Sequence, residues 1–318
     1  MLARPFAGRA QPTGPVRRIG WLSPSVETAT VTKQGAALVR ESLRKAGYEE
    51  GKNLVIEFRF AEGQLDRLPA LATELVRFKP EVIVAYSNDA IAAARRATRS
   101  IPIVMAFGTE PVEAGFIESF ARPGGNVTGT VWASSEYMSK VFEFLKEVAP
   151  ATKWVAFLAN PTVAATAGPG YATAVNRAAS TFGIAFLPFD VARADDVAAA
   201  LDRIAASGAD ALFVATDPIT VAKFGEIAAF ALKRKLVTIG TAPQFANAGG
   251  LLSCGPDVPE LFARTISYVD RILRGARPAD LPIEMPTHFL VTINLRTART
   301  LGITIPQSLL LRADEVIQ

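Results

Sequence analysis

The feature that most constrains this chain is an alternation. From Arg18 to Ile239, short apolar runs take turns with amphipathic helical stretches, and most runs stop in a polar tip. Arg18–Leu22 stops at Ser23-Pro24-Ser25, Glu81–Tyr86 at Ser87-Asn88-Asp89, and Ile101–Phe107 at Gly108-Thr109-Glu110. Further on, Lys153–Ala159 stops at Asn160-Pro161, Asp210–Ala215 at Thr216-Asp217-Pro218, and Leu236–Ile239 near Thr241-Ala242-Pro243. An unbroken apolar run this short reads as a strand buried on both faces, and strands alternating with helices give a parallel sheet. Asn53–Phe60 differs: Leu54, Ile56, Phe58 and Phe60 alternate with Val55, Glu57 and Arg59, the pattern of an edge strand. The spacing predicts helices over 33–46, 66–78, 136–148, 171–182, 195–207, 219–235 and 258–273. It predicts another from Pro111 to about Ala121, started by the proline and ended by Arg122-Pro123-Gly124-Gly125.

The two halves rhyme. Gly47 with Asn53–Phe60 matches Gly183 with Ile184–Phe189, and Glu81–Asp89 matches Asp210–Asp217. The expected fold class is therefore α/β, with two doubly wound lobes of parallel-sheet core joined by three crossings around a central cleft. Crossings are expected near 128–132, 247–252 and 284–288. They assign 16–130 with 250–285 to the first lobe and 131–249 with 286–318 to the second. Residues 1–15 are expected to be a disordered tail or the remnant of a signal peptide, since Ala7-Gly8-Arg9-Ala10 resembles a cleavage region but no long apolar core precedes it.

Composition removes several classes. The chain has 318 residues and a formal net charge of +4, but Lys and Arg are scattered and no basic stripe carries interleaved aromatics, so no nucleic-acid partner is expected. One cysteine, Cys254, excludes an internal disulfide, and one histidine, His288, excludes multi-histidine metal sites. The absence of G-x-G-x-x-G and of a P-loop lysine argues against a nucleotide cofactor; no cofactor and no metal are expected. The longest uncharged stretch, Trp154–Asn176, is broken by Pro161, Gly168, Pro169 and Gly170, and reads as strand, loop and helix start instead of a membrane span.

Three stretches carry a resemblance: GYEEGKNLVIEFRFAEGQLDRLPALATELVRFKPEVIVA, SFARPGGNVTGT, and GARPADLPIEMPTHFLVTINLRTARTLGITIPQSLLLRADEVI. Together they resemble the solute-binding proteins of a broad ABC-importer family, over nearly the whole chain from Arg17 onward. The resemblance implies a type I periplasmic binding protein fold, an extracytoplasmic (periplasmic) location, and a small-molecule ligand handed to a membrane permease by a monomer. Relatives in that family take up aromatic amino acids. The chain departs from the family pattern at Ser87-Asn88-Asp89, where Gly-Thr-Pro is common, at Glu110, where Asp is common, and at Cys254-Gly255, where Tyr-Gly is frequent.

An amino acid needs donors for its carboxylate, an acid for its ammonium and a wall for its side chain. Ser23, Ser25, Ser87, Asn88 and Thr109 sit at first-lobe strand ends and supply hydroxyl or amide donors, helped by backbone N–H groups at the following helix starts. Asn160 and Asp217 sit at second-lobe tips. Asp217 is the first choice for the ammonium, with Asp89 and Glu110 as competitors; Phe107 and Trp132 are candidate walls, with Tyr86 and Gln244 beside them. Three other readings stay open. One is an enzyme on a doubly wound sheet, and one is a ligand sensor not coupled to transport. The third is the effector core of a transcription regulator, which the short stretch before Arg18 disfavours.

Overall fold

The structure is a computed structural model, and it describes residues 15–28, 30–133, 135–161, 169–286 and 288–318. Residues 1–14, the body of the expected tail or signal remnant, lie outside the described residues, as do 162–168 of the uncharged stretch.

The first sheet has five strands: β1 (Arg17–Ser23), β2 (Leu54–Phe60), β3 (Val82–Tyr86), β4 (Ile103–Thr109) and β5 (Val127–Ala133), in the order β2-β1-β3-β4-β5. All of its pairings are parallel. Helices α1 (Thr30–Lys45), α2 (Leu68–Phe78) and α3 (Asn88–Ala97) connect them. The apolar runs are buried on both faces as their composition demands. Val82, Val84, Val104 and Ala106 pack on one side, and Ile83, Ala85, Ile103 and Met105 on the other. β2 is the edge strand that its alternation predicts, with Leu54, Ile56, Phe58 and Phe60 on the face toward α1.

After α4 (Ser135–Val148), the second half repeats the topology with β6 (Trp154–Ala159), α5 (Pro169–Thr181), β7 (Ala185–Asp190), α6 (Asp196–Ala206) and β8 (Ala211–Val214). Next come α7 (Pro218–Ala222), α8 (Phe224–Lys233), β9 (Val237–Gly240), α9 (Pro243–Asn247) and β10 (Leu252–Pro256). The strand order β10-β9-β8-β6-β7 has the same winding as the first sheet. Helix α10 (Val258–Leu273) returns to the first lobe before β11 (Phe289–Asn294), α11 (Leu295–Leu301), α12 (Gln307–Leu310) and β12 (Glu315–Ile317) complete the second sheet. Among the described residues, no helix is long and apolar enough to cross a membrane.

Three expectations are corrected. The helix predicted from Pro111 to Ala121 is absent. A single turn closes by Ala114 N–H donating to the Glu110 carbonyl (2.9 Å), and the chain then dips so that Phe116 and Ile117 enter the core beneath α3. Gly115 (φ 68°) takes the left-handed conformation directly after that turn, which stops it from continuing as a helix. The helix expected over 219–235 is two helices, broken at Lys223 (φ −118°, ψ 7°). The strand expected over 250–254 lies at Leu252–Pro256. It pairs with β9 and β11, so it belongs to the second sheet and not to the first lobe. The chain rejoins the first lobe only at α10, whose Leu261, Phe262, Ile266 and Val269 pack against that sheet.

Cys254 sits in β10 with its side chain in the second-lobe core, not at the cleft. Burial pushes its thiol up to about 12. Near pH 8 the reactive thiolate is therefore scarce. An aromatic disulfide reagent is expected to leave the native protein untouched and to titrate one thiol only after denaturation; rapid native labelling would contradict the packing.

Candidate functional site

Both lobes change winding direction at one strand pair. In the first sheet the chain goes from β1 outward to β2 and then back past β1 to β3; in the second it goes from β6 to β7 and back to β8. Ligands of open α/β sheets bind outside the carboxyl ends of strands at such a switch. The first switch is flanked by Ser23 and Ser87, the second by Asn160 and Asp217. β5 runs parallel to β4 and β10 parallel to β9, so two crossings leave from carboxyl edges, at Ala133 and Pro256. The third enters β11 at Phe289, whose partner is Pro256. The two carboxyl edges therefore adjoin the same crossings.

The backbone at the first edge is strained. Among the described residues, six non-glycine residues have positive φ. Lys79 and Lys235 follow the ends of helices, and the other four are Glu62 (56°), Ser87 (83°), Phe107 (60°) and Glu110 (43°). These four follow β2, follow β3, and bracket the end of β4. Each such conformation costs on the order of 1–3 kcal/mol, and clusters of them mark functional edges. At Phe107 the effect is visible. β4 alternates until Ala106, then shifts register against β5 beyond Met105, so Phe107 shares the face of Val104 and Ala106. Its ring lies 4.9 Å from Tyr86, 5.2 Å from Trp132 and 5.1 Å from Phe262, measured between centroids. Trp132, half-buried, packs against the cores of both lobes.

The expected donors divide into spent and unspent. The Ser25 N–H and the Ser23 hydroxyl bond within one turn: Ser25 N donates to Ser23 Oγ (3.1 Å), which donates to Ser25 Oγ (3.0 Å). Asn88 is a brace. Its Nδ2 donates to the Thr109 carbonyl and its Oδ1 accepts the Thr109 N–H, both at 2.8 Å, locking the β3 tip to the end of β4. Ser87 is different. It is 3% exposed and precedes α3, yet its hydroxyl has no hydrogen-bond partner. One carboxylate oxygen of Asp89, Oδ2, is likewise buried and unpartnered. Burial raises the Asp89 carboxyl above the usual range, with its own N–H and Arg96 opposing that shift. Burial alone pushes the Tyr86 phenol up to about 12.

On the second lobe Asp217 is committed. Its Oδ1 accepts the N–H groups of Ile219 (2.8 Å) and Thr220 (3.1 Å), and its Oδ2 accepts that of Asn160 (3.1 Å). With Thr220 returning a bond to the Asp217 N–H, this is a capping box that also ties β6 to β8. The D-P-x-T spacing of Asp217–Thr220 was the available sign of that role. Gln244 is exposed on α9, one strand beyond the switch. Phe262 completes the ring cluster without having been expected; on an amphipathic helix it carries no mark that separates it from core.

Comparison with known proteins gives the family and the fold. Residues 27–317 match the family described as ABC transporter substrate binding protein. A tyrosine-binding protein from Clostridioides difficile is 28% identical over 287 residues, covering 88% of this chain and 79% of that protein. A conserved domain protein from Vibrio cholerae has a solved structure with a TM-score of 0.77 at 27% identity, over 95% of this chain and 99% of that one. An ABC domain from Streptococcus pneumonia, solved in complex with L-Trp, gives 0.76 at 25% identity with the same coverage. The fold is that of the type I periplasmic binding proteins. The chain belongs to the ABC transporter substrate binding protein family.

Proposed function

We propose that this ABC transporter substrate binding protein captures a small polar organic ligand, an amino acid, between its two carboxyl sheet edges and delivers it to an importer permease outside the cytoplasm. The observation that carries the reading is the unpaired Ser87 hydroxyl at the first-lobe switch, directly before the ten-residue helix α3. A buried hydroxyl without a partner is costly, and a carboxylate there would accept from it and from the helix N-terminal N–H groups. The ring cluster of Tyr86, Phe107 and Trp132 supports an aromatic side chain on the ligand, the kind of compound named for two of the relatives.

Closure is proposed to pivot on the second-lobe side of the crossings. The third crossing is laced to β5 as far as residue 284: Thr128 Oγ1 donates to the Leu281 carbonyl (2.7 Å), and Val131 N–H to that of Glu284 (3.1 Å). Thr130 and Thr265 share a buried hydroxyl contact at 3.1 Å, tying β5 to α10. The bends then fall beyond Ala133, Pro256 and Glu284, and ligand contacts made by both walls favour the closed form.

A thermal-denaturation panel of L-tyrosine, L-tryptophan, L-phenylalanine, L-leucine, benzoate and a hexitol tests this. A ligand present at a hundred times its Kd adds about 2.7 kcal/mol, which for a chain of this size moves the midpoint by about 5 °C. The aromatic amino acids are expected to give that shift. No shift with any compound, and no small molecule released on denaturation, would overturn the reading.

A further inference from the structure

The first-lobe edge is acidic in a chain that is basic overall. The loops at 24–28, 61–64, 86–89 and 109–113 contain Glu27, Glu62, Asp89, Glu110 and Glu113 and no lysine or arginine, against a formal net charge of +4 for the whole chain. One of these acids is distinguished by its surroundings. Asp89 Oδ2 is shielded from solvent without a partner, two residues from the equally unpartnered and almost fully buried Ser87 hydroxyl. Asp217, by contrast, has three backbone N–H groups on its two oxygens.

The ring cluster that begins at Tyr86, three residues before Asp89, also lacks a cation. Among the described residues, arginine or lysine groups stand over Phe58, Phe78, Phe116, Phe144, Phe189, Phe230 and Tyr268, but none stands over Tyr86, Phe107 or Trp132. An amine desolvated beside a carboxylate and an aromatic face gains from both.

Resting on the amino-acid reading of the cleft, we infer that Asp89, and not Asp217, is the partner of the ligand's ammonium group, and that the site selects compounds carrying a positively charged amine. A buried carboxylate oxygen with no hydrogen-bond partner is disfavoured, which agrees with a pKa raised against the pull of Arg96 and with a role completed only by ligand. Ser87 and Asp89 would then hold the two poles of one amino-acid head group from the start of a single helix, leaving the second lobe to close over the side chain.

The test is isothermal titration of the full chain and of Asp89→Asn and Asp89→Ser with three probes: L-tyrosine, tyramine, which lacks the carboxylate, and 3-(4-hydroxyphenyl)propionate, which lacks the amine. The wild type is expected to bind both amines and to bind the propionate at least about thirtyfold more weakly than L-tyrosine. Both variants are expected to lose about thirtyfold toward the amines and little or nothing toward the propionate, so that removing the protein acid and removing the ligand amine are not additive. Propionate binding equal to that of the amines, or amine binding unchanged in both variants, overturns the assignment of Asp89 alone. If no probe binds the wild type, the amino-acid reading falls and takes the assignment with it.

Discussion

Replacing Asp217 with alanine is expected to cost about 2–4 kcal/mol of stability before any effect on ligand is counted. The estimate follows from the three N–H groups that the carboxylate serves. Loss of a helix cap costs about 0.5–2 kcal/mol, and each buried donor left without an acceptor adds about 1–3 kcal/mol. Ile219 and Thr220 lose the cap, and the Asn160 N–H, just past the end of β6, loses the carboxylate that ties it to β8's tip. The damage therefore spreads from one short helix to the β6–β8 junction. Asp217→Asn should be milder, about 1–2 kcal/mol, because its amide oxygen still caps while its NH2 meets the Asn160 N–H donor to donor. Urea midpoints of the wild type and the two variants, at unchanged slope, read this directly. A midpoint unmoved in Asp217→Ala, with ligand affinity abolished, would return Asp217 to the role of ammonium partner.

That contrast explains how far the site could be read from residues alone. The alternation of apolar runs and helices placed the strands and their polar tips, because burial on both faces leaves no freedom in composition. It placed Ser23, Ser87, Asn160 and Asp217 at strand ends, and the winding then set those four at the two switches. What the tips do was not legible. An aspartate that caps a helix and one that awaits a cation have the same local signature; only the count of N–H groups on Asp217 and the empty oxygen of Asp89 separate them. Asn88 looked like a ligand donor and is a brace, since its partner Thr109 is distant in sequence. The second crossing was misplaced because Leu251, Leu252 and Cys254 would suit a strand in either sheet; pairing to β9 decided it. The turn after Pro111 was missed because a helix would also bury Phe116 and Ile117, and the left-handed Gly115 that ends the turn carries no mark in the sequence separating it from a helical glycine.

The ARPGGNVTGT segment offers the sharpest structural test, because its glycines stand in different surroundings. Gly129 has φ 128°, and a Cβ there would lie 2.4 Å from the Met105 carbonyl oxygen and 2.6 Å from its nitrogen. The obstacle is backbone of the adjoining strand β4, so no rotamer change relieves it. Gly129 pairs with Met105, the last regular pair before the register shift that carries Phe107 into the ring cluster and leaves Thr109 against Asn88. Gly129→Ala must either strain its own backbone or push β4 away from β5. It is expected to cost at least about 3 kcal/mol and, in whatever fraction folds, to weaken ligand binding through the displaced β4 tip. Gly125, four residues earlier, has no heavy atom within 4 Å of its ideal Cβ and no positive φ. Gly125→Ala should stay within about 1 kcal/mol of the wild type, and its restriction of the unfolded chain could make the change favourable. Thermal and urea unfolding of the pair, followed by titration with the same aromatic amino acids, separates the two accounts of the segment. A large loss at Gly129 alone means that the segment holds β4 in its shifted register and so builds the first-lobe wall. Equal, small losses at both positions would mean that β4 reaches its bulged form without Gly129, and the strain at Phe107 would need another support.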